Sequence, residues 1–181
     1  LSEVTSTGDN SFALPMVHLR YSVNDNMLVR VAYTETIARP NYGSLVPFVL
    51  AEDDEAEAGN PELIPAHSKN VDLMLEYYAG PLGILSFGYF SKDIADYFYT
   101  GVMEDHTVQG KEYSEVKMPL NGTGATLSGW ELNLQQQLSF LPGPLSGLSI
   151  YFNYTSTTSD ANYGTERDNT TLPGQAGATG N

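Results

Sequence analysis

The sequence predicts an all-β fold, an antiparallel meander of about six strands arranged as three hairpins. Segments of roughly ten residues alternate apolar and polar side chains, which is the period of a strand with one apolar face. Short turn signals join these segments in pairs, and long polar connections separate the pairs. The apolar face carries almost no charge: its exceptions are Glu35, near a long connection, and Gln136, near a short turn.

The first hairpin is predicted between Met16 and Ile37, with its turn at Asn24-Asp25-Asn26. Asn and Asp tolerate the left-handed conformation that tight turns require. Its apolar residues are Val17, Leu19, Tyr21 and Val23 in the first strand and Val29, Val31, Tyr33 and Ile37 in the second. The chain leaves this hairpin at Arg39-Pro40.

The second hairpin has its turn at Ala79-Gly80-Pro81-Leu82-Gly83, and the third has its turn between Leu141 and Gly147. The strands of the second hairpin present Val71, Leu73, Leu75 and Tyr77, then Leu85, Phe87 and Tyr89, on the apolar face. In the third hairpin this face holds Trp130, Leu132, Leu134 and Leu138, then Leu148, Ile150, Phe152 and Tyr154. The fifth strand is predicted to run from about Ser114 to Leu134 with a bulge at Pro119-Leu120-Asn121-Gly122.

Three long polar segments are predicted to be loops outside the strands, at residues 40–68, 101–114 and 157–181, and residues 1–12 are also predicted as loop. Each of the three long segments follows the second strand of a hairpin, so the long connections would lie at one end of the sheet and the short turns at the other. Transmembrane barrels have this asymmetry.

The composition narrows the classes of function. The chain has 181 residues, consistent with one domain, and holds 8 Lys and Arg against 22 Asp and Glu. Nucleic acid is therefore not an expected partner, because phosphate binding needs a basic face. The absence of cysteine excludes disulfides, thiolate metal sites and cysteine nucleophiles. Enzymatic activity is not expected, since no strand-turn-helix nucleophile elbow accompanies the Ser, His and acidic residues.

Two folds explain the alternation. A transmembrane barrel would turn the apolar face to lipid. A soluble secreted or periplasmic β-sandwich, such as a carbohydrate-binding module, would bury it against a second sheet. A structural adhesin is a third possibility. Strand lengths of roughly ten residues, abundant Tyr and long loops at one end favour the barrel.

Several short segments occur in a characteristic order between about residues 13 and 156. They are Thr36-Ile37-Ala38-Arg39-Pro40-Asn41-Tyr42, Gly59-Asn60-Pro61-Glu62-Leu63 with Pro65, Ser68, Asn70 and Asp72, Phe90-Ser91-Lys92-Asp93-Ile94, Asn121-Gly122, Gly129-Trp130-Glu131-Leu132 and Asn153-Tyr154-Thr155. Together they resemble the β-barrel of TonB-dependent outer-membrane receptors. Ala66, where many members have Glu, and Trp130, where a small aliphatic residue is common, depart from the pattern.

The resemblance implies that residues 1–181 are part of a barrel of roughly 22 strands with a plugged lumen, in the Gram-negative outer membrane. It also implies uptake, energised by TonB, of a scarce nutrient such as a ferric siderophore, cobalamin, haem or a saccharide. The loops at residues 40–68, 101–114 and 157–181 would then lie outside the cell. The expected partners are outer-membrane lipid, the rest of the barrel, the plug domain, the small-molecule ligand and TonB, which would act through a missing N-terminal part. The chain shows no recognisable plug domain or terminal strand, so alone it is not expected to transport anything. Alone it would also expose two unpaired strand edges and an apolar face, so it is expected to self-associate.

No cofactor or metal is expected. His18, His67 and His106 lie too far apart in the pattern for a metal triad, and the acidic run from Glu52 to Glu57 lacks the spacing of a calcium loop. The polar residues expected to face the lumen are His18, Arg20, Arg30, Asp72, Glu76 and Glu131. Two aromatic residues of the first long connection, Tyr42 and Phe48, are candidates for contacting the ligand.

Overall fold

The computed structural model describes residues 11–80, 83–163, 172 and 177–180. The strands are β1 (Met16–Asn24), β2 (Met27–Ala38), β3 (Val49–Glu52), β4 (Glu55–Ala58), β5 (Ala66–Tyr78), β6 (Gly83–Ala95), β7 (Phe98–Val108), β8 (Lys111–Asn121), β9 (Gly124–Gln137), β10 (Ser149–Asn162) and β11 (Ala178–Gly180). A single helical turn, α1 (Tyr42–Leu45), and a 3-10 turn at Gly143–Gly147 interrupt them. Within these ranges no helix has the length and apolar character needed to cross a membrane.

The long strands form one antiparallel sheet, the main sheet, in the order β1-β2-β5-β6-β9-β10-β11. The six predicted strands are β1, β2, β5, β6, β9 and β10, so the antiparallel meander of three hairpins is confirmed. Its strands of up to 14 residues are long enough to span a bilayer, which takes about 9–11 residues per tilted strand.

The three short turns lie at one end of the main sheet, as predicted. In the first turn the Asn24 side chain accepts a hydrogen bond from the Asn26 backbone at 2.9 Å. The Asn26 side chain then donates to the Tyr78 carbonyl at 3.2 Å, which ties the first turn to the end of β5. Gly80 and Gly143 have positive φ angles of 70° and 62°, which glycine adopts without strain.

The prediction of residues 40–68 and 101–114 as loops was wrong, because much of these segments is strand. The first connection (residues 40–65) contains β3 and β4, and the second connection (residues 96–123) contains β7 and β8. Together they form a four-stranded sheet, the small sheet, in the order β3-β4-β8-β7, with β4 and β8 parallel.

The local pattern did not reveal the small sheet, since Ala and Glu in β4 have low strand propensity. What stabilises it is a core drawn from both connections. Ala56 and Ala58 of the first pack with Tyr113 and Val116 of the second, and Val49, Val108 and Met118 pack around them. Val116 is completely buried there.

The single fifth strand with a bulge was also wrong. β8 ends at Asn121 in the small sheet, and β9 begins at Gly124 in the main sheet. Between them Gly122 lies against Tyr97, whose nearest ring carbon would be 2.3 Å from a Cβ at this position. The proline and glycine therefore mark the point where the chain passes from one sheet to the other.

The predicted loop from residue 157 begins too early. β10 continues to Asn162, paired with β9 over its whole length, because backbone pairing compensates for the polar sequence there. A further short strand, β11, pairs with β10 at Tyr154–Ser156. The remaining residues predicted as terminal loops, 1–10, 164–171, 173–176 and 181, lie outside the described residues.

Candidate functional site

The register of the main sheet places the apolar side chains of its long strands in continuous rows on one face, the apolar face. One row is Leu19, Val31, Leu73, Tyr89 and Trp130, and the next is Val29, Leu75, Phe87, Leu132 and Tyr154. Val31, Leu73 and Phe152 are 39%, 43% and 43% exposed. A β-sandwich would bury these residues against a second sheet; in the described part of the chain they remain exposed.

Glu35 and Gln136, the two polar residues predicted on the apolar face, lie toward its opposite ends. Near the long connections, Glu35 accepts a hydrogen bond from the Tyr33 hydroxyl, and its other carboxylate oxygen lies 2.9 Å from His67 Nε2. Glu35 pairs across the strands with Lys69, which pairs with Asp93, so a charged row follows the apolar rows here. Near the short turns, the Gln136 side chain covers Gly83.

The opposite side of the main sheet, the polar face, carries His18, Arg20, Arg30, Asp72, Glu76 and Glu131, as their alternation with the apolar residues predicts. Arg30 Nε lies 3.1 Å from Glu76 Oε1, which joins β2 to β5. The Tyr78 hydroxyl donates to the other Glu76 oxygen at 2.7 Å. Glu76 is 8% exposed, so its carboxylate is satisfied by partners in the sheet itself.

The six polar residues do not form one cluster. Arg20 is the cross-strand neighbour of Arg30, and Asp72 and His18 flank Ala32 on either side. Glu131 lies further along the sheet, separated from Asp72 by β6. The three histidines lie on three different strands, and the described residues contain no group of His, Asp and Glu arranged to hold a metal ion.

A second polar centre on this face surrounds Asn70, which is 4% exposed. Its side-chain nitrogen donates to the Thr34 carbonyl at 3.1 Å, and its oxygen accepts from Ser68 at 2.8 Å and from the Lys92 ammonium at 3.2 Å. The sequence analysis identified Asn70 only as part of the family resemblance and did not predict this centre. The signal that could have found this centre is the run of Thr34, Thr36, Ser68 and Asn70 on one face of two neighbouring strands.

An aromatic cluster covers the polar face where β6, β9 and β10 approach the long connections. Tyr163 packs edge-on against Tyr97 and Tyr99, with ring centroids 5.6 and 4.9 Å apart. Below the rings, Ala125 and Ala161 are buried cross-strand partners. Sequence reasoning missed this cluster because Tyr97 and Tyr163 follow the ends of their strands.

The two aromatic candidates of the first connection differ. Tyr42 lies at the start of α1, whose first turn is capped by the Asn41 side chain, and it is 85% exposed. Phe48 is half-buried and packs beside Gly59, where a Cβ would lie 1.9 Å from the Val46 carbonyl oxygen. Tyr42 is therefore an exposed aromatic residue, whereas Phe48 contributes to the packing of the connection.

The acidic run becomes part of the small sheet. Glu52, Glu55, Glu115 and Glu104 are successive cross-strand partners and form one row of carboxylates over its four strands. Lys117 lies 2.9 Å from Glu115, and this hydrogen bond, with the negative charges around it, raises the pKa of Lys117. The run is thus a structured, exposed acidic surface instead of a solvated loop.

The family model for the β-barrel of TonB-dependent receptors matches residues 2–181, nearly the whole chain. The chain belongs to the TonB-dependent receptor family. Members reside in the Gram-negative outer membrane, so the main sheet is a segment of an outer-membrane β-barrel. No curated protein sequence matches the chain.

Solved structures of siderophore receptors share this fold. The siderophore receptor PirA from Pseudomonas aeruginosa is 19% identical and aligns with a TM-score of 0.63 over 81% of this chain and 28% of its own. A variant of the ferric enterobactin receptor PfeA from P. aeruginosa is 22% identical, with a TM-score of 0.64 over 80% and 22%. PirA from Acinetobacter baumannii is 16% identical, with a TM-score of 0.62 over 88% and 24%. The chain thus spans about a quarter of these receptors.

Proposed function

We propose that the chain is a wall segment of a receptor that takes up a ferric siderophore across the outer membrane, driven by TonB. The observation that carries this proposal is the family match over nearly the whole chain. The siderophore receptors among the similar structures support a ferric siderophore as the ligand class, and the apolar and polar faces of the main sheet support its role as a barrel wall.

Each face would have its own partner. The apolar face would contact outer-membrane lipid, and the polar face would line the lumen and meet the plug domain. The Arg30–Glu76 pair joins β2 to β5, so it would stabilise the wall on its lumenal side. Each charge is neutralised by the other within the sheet. TonB would act through the N-terminal part of the complete receptor.

The two connections would lie outside the cell and receive the ligand. Of the two aromatic candidates for ligand contact, Tyr42 is favoured by its exposure, because an exposed aromatic ring offers apolar area and stacking to an incoming chelate. Phe48 would keep the first connection in shape, since it packs within that connection.

Uptake of radiolabelled iron tests the function. A strain lacking the complete receptor is compared with its parent and with a TonB-deficient parent, each supplied in turn with a panel of hydroxamate and catecholate ferric siderophores. We expect one siderophore class to require both the receptor and TonB. Uptake of every siderophore at the parental rate in the deletion strain would refute the proposal.

The role of Tyr42 is tested by binding of the identified siderophore to the purified receptor. Tyr42→Ala should weaken binding by about tenfold, the loss expected for one stacking contact. Tyr21→Ala is the matched control, since Tyr21 is a 68% exposed tyrosine on the apolar face and should leave binding unchanged. Equal affinity of the Tyr42→Ala variant and the wild type would remove Tyr42 from the site.

A further inference from the structure

We propose that the first and second connections fold and move as one rigid body, so that a force on either one displaces both. This inference concerns the mechanics of the two segments and holds whichever ligand the receptor takes. It rests on a shared core, on hydrogen bonds that cross between the connections, and on two asparagine clamps at their base.

The core is shared because neither connection supplies a complete one. The first offers small side chains, Ala56 and Ala58, and the second offers the larger Tyr113 and Val116. Val116 and Ala58 are both completely buried. Separating the connections would expose both surfaces, so the apolar contact opposes independent movement.

Backbone hydrogen bonds cross the boundary between the connections as well. β4 and β8 pair in parallel through Glu55–Glu57 and Glu115–Lys117. Beyond the end of this pairing, the Ser114 backbone nitrogen and hydroxyl donate to the Asp54 carbonyl at 2.9 and 3.0 Å. At the tip of the second connection, Gln109 Nε2 donates to the Pro47 carbonyl at 3.0 Å.

The asparagine clamps lie where the connections approach the main sheet. Asn121 accepts from the Ile64 backbone nitrogen at 3.0 Å and donates to the Ile64 carbonyl at 3.0 Å and the Asp96 carbonyl at 2.7 Å. From the other connection, Asn60 Nδ2 donates to the Pro119 carbonyl at 3.0 Å. Each clamp belongs to one connection and binds the backbone of the other, so each acts as a positioning residue.

Amide hydrogen exchange on the complete receptor in detergent micelles tests the proposal, because it reports the opening of each strand separately. Val116→Asn places an unpaired polar group in the shared core from the second connection. We expect exchange in β3 and β4, which carry no substitution, to accelerate about tenfold or more together with β7 and β8. Val102→Asn, on the exposed side of β7, is the matched control and should leave β3 and β4 unchanged.

Asn121→Ala provides a second variant that does not touch the core. It should accelerate exchange in both connections, whereas Asn133→Ala on the polar face should not. Amides of β5 and β6 show in every sample that the main sheet remains folded. Acceleration confined to β7 and β8 in the two test variants, with unchanged protection of β3 and β4, would overturn the proposal.

Discussion

At the residue scale, two features of the sequence motifs acquire a physical reason. Asn60 and Asn121, which belong to the segments that carry the family resemblance, connect two stretches of backbone about 60 residues apart in sequence. Gly129, in another of these segments, lies beneath the ring of its cross-strand partner Phe90. In both cases a contact with a distant part of the chain explains the residue: a hydrogen bond for the two asparagines, and close packing that leaves no room for a side chain at Gly129.

The packing at Gly129 leads to a prediction about stability. A Cβ there would lie 2.4 Å from the Ser156 carbonyl oxygen and 2.6 Å from Phe90 Cζ. Gly129→Ala should therefore destabilise the complete receptor by about 1–3 kcal/mol, the usual cost of overpacking. The measurement is the free energy of unfolding in urea with the receptor in detergent micelles.

Gly124→Ala is the control for this measurement. The nearest atom to its Cβ would be the Ile94 carbonyl oxygen at 3.7 Å, an ordinary contact. Removing a glycine from a strand then stabilises by about 0.5–1 kcal/mol. Equal stabilities for the two variants would show that Phe90 and the Ser156 backbone yield to the methyl group.

At the scale of elements, the small sheet combines a favourable core with an unfavourable surface. Its core joins two connections, while Glu52, Glu55, Glu115 and Glu104 repeat one charge across neighbouring strands. Adjacent strands are about 4.8 Å apart, and like charges in directly opposed positions repel. Lys117 offsets this repulsion in part through Glu115.

This row predicts that a carboxylate can be removed with a gain in stability. Glu55→Gln removes the repulsion from Glu52 and Glu115 and also an attraction to Lys117. The net effect should slow exchange of the β4 and β8 amides about two- to fivefold, within the roughly 0.2–1 kcal/mol of a cross-strand charge pair. The gain should fall in 1 M NaCl, because salt screens exposed charges. Glu62→Gln, in an exposed position outside the strands, is the control; faster exchange in the Glu55→Gln variant would contradict this account.

At the scale of the whole molecule, the main sheet separates an apolar face from a polar one, and neighbouring residues of one strand face opposite surroundings. Leu132 lies in an apolar row between Phe87 and Tyr154, while Asn133 lies on the polar face between Ser86 and Asn153. The same substitution at these two positions therefore samples the two faces.

Leu132→Arg should destabilise the receptor in phospholipid vesicles by about 2–4 kcal/mol, the cost of an arginine on the lipid face near the bilayer midplane. Asn133→Arg should cost much less, because its side chain would reach polar surroundings that include Glu131. The measurement is reversible unfolding in guanidinium chloride. Similar losses for both variants would contradict the assignment of the faces.

The isolated chain should self-associate when detergent is removed. Its apolar face is exposed, and β1 leaves one edge of the main sheet unpaired within the described residues. Light scattering should show oligomers in buffer and smaller particles in micelles. A stable monomer in dilute detergent-free buffer would show that the chain buries this face by itself.

The sequence alone determined the six strands of the main sheet, apart from the start of the fifth, together with their turns and the two faces of the sheet. These features depend on side-chain alternation and turn residues, which act over a few positions. Glu35 at one end of the apolar face and Gln136 at the other were also readable in this way.

Only the tertiary structure decided the small sheet, the asparagine clamps, the Asn70 centre and the Tyr97–Tyr163 cluster. These contacts join residues far apart in the chain. β4 consists of Glu and Ala, which have weak local preferences for strand, whereas most of β8 was predicted as strand but assigned to the main sheet. The pairing of β4 with β8 joins the two connections, and for that reason neither segment of sequence could reveal it.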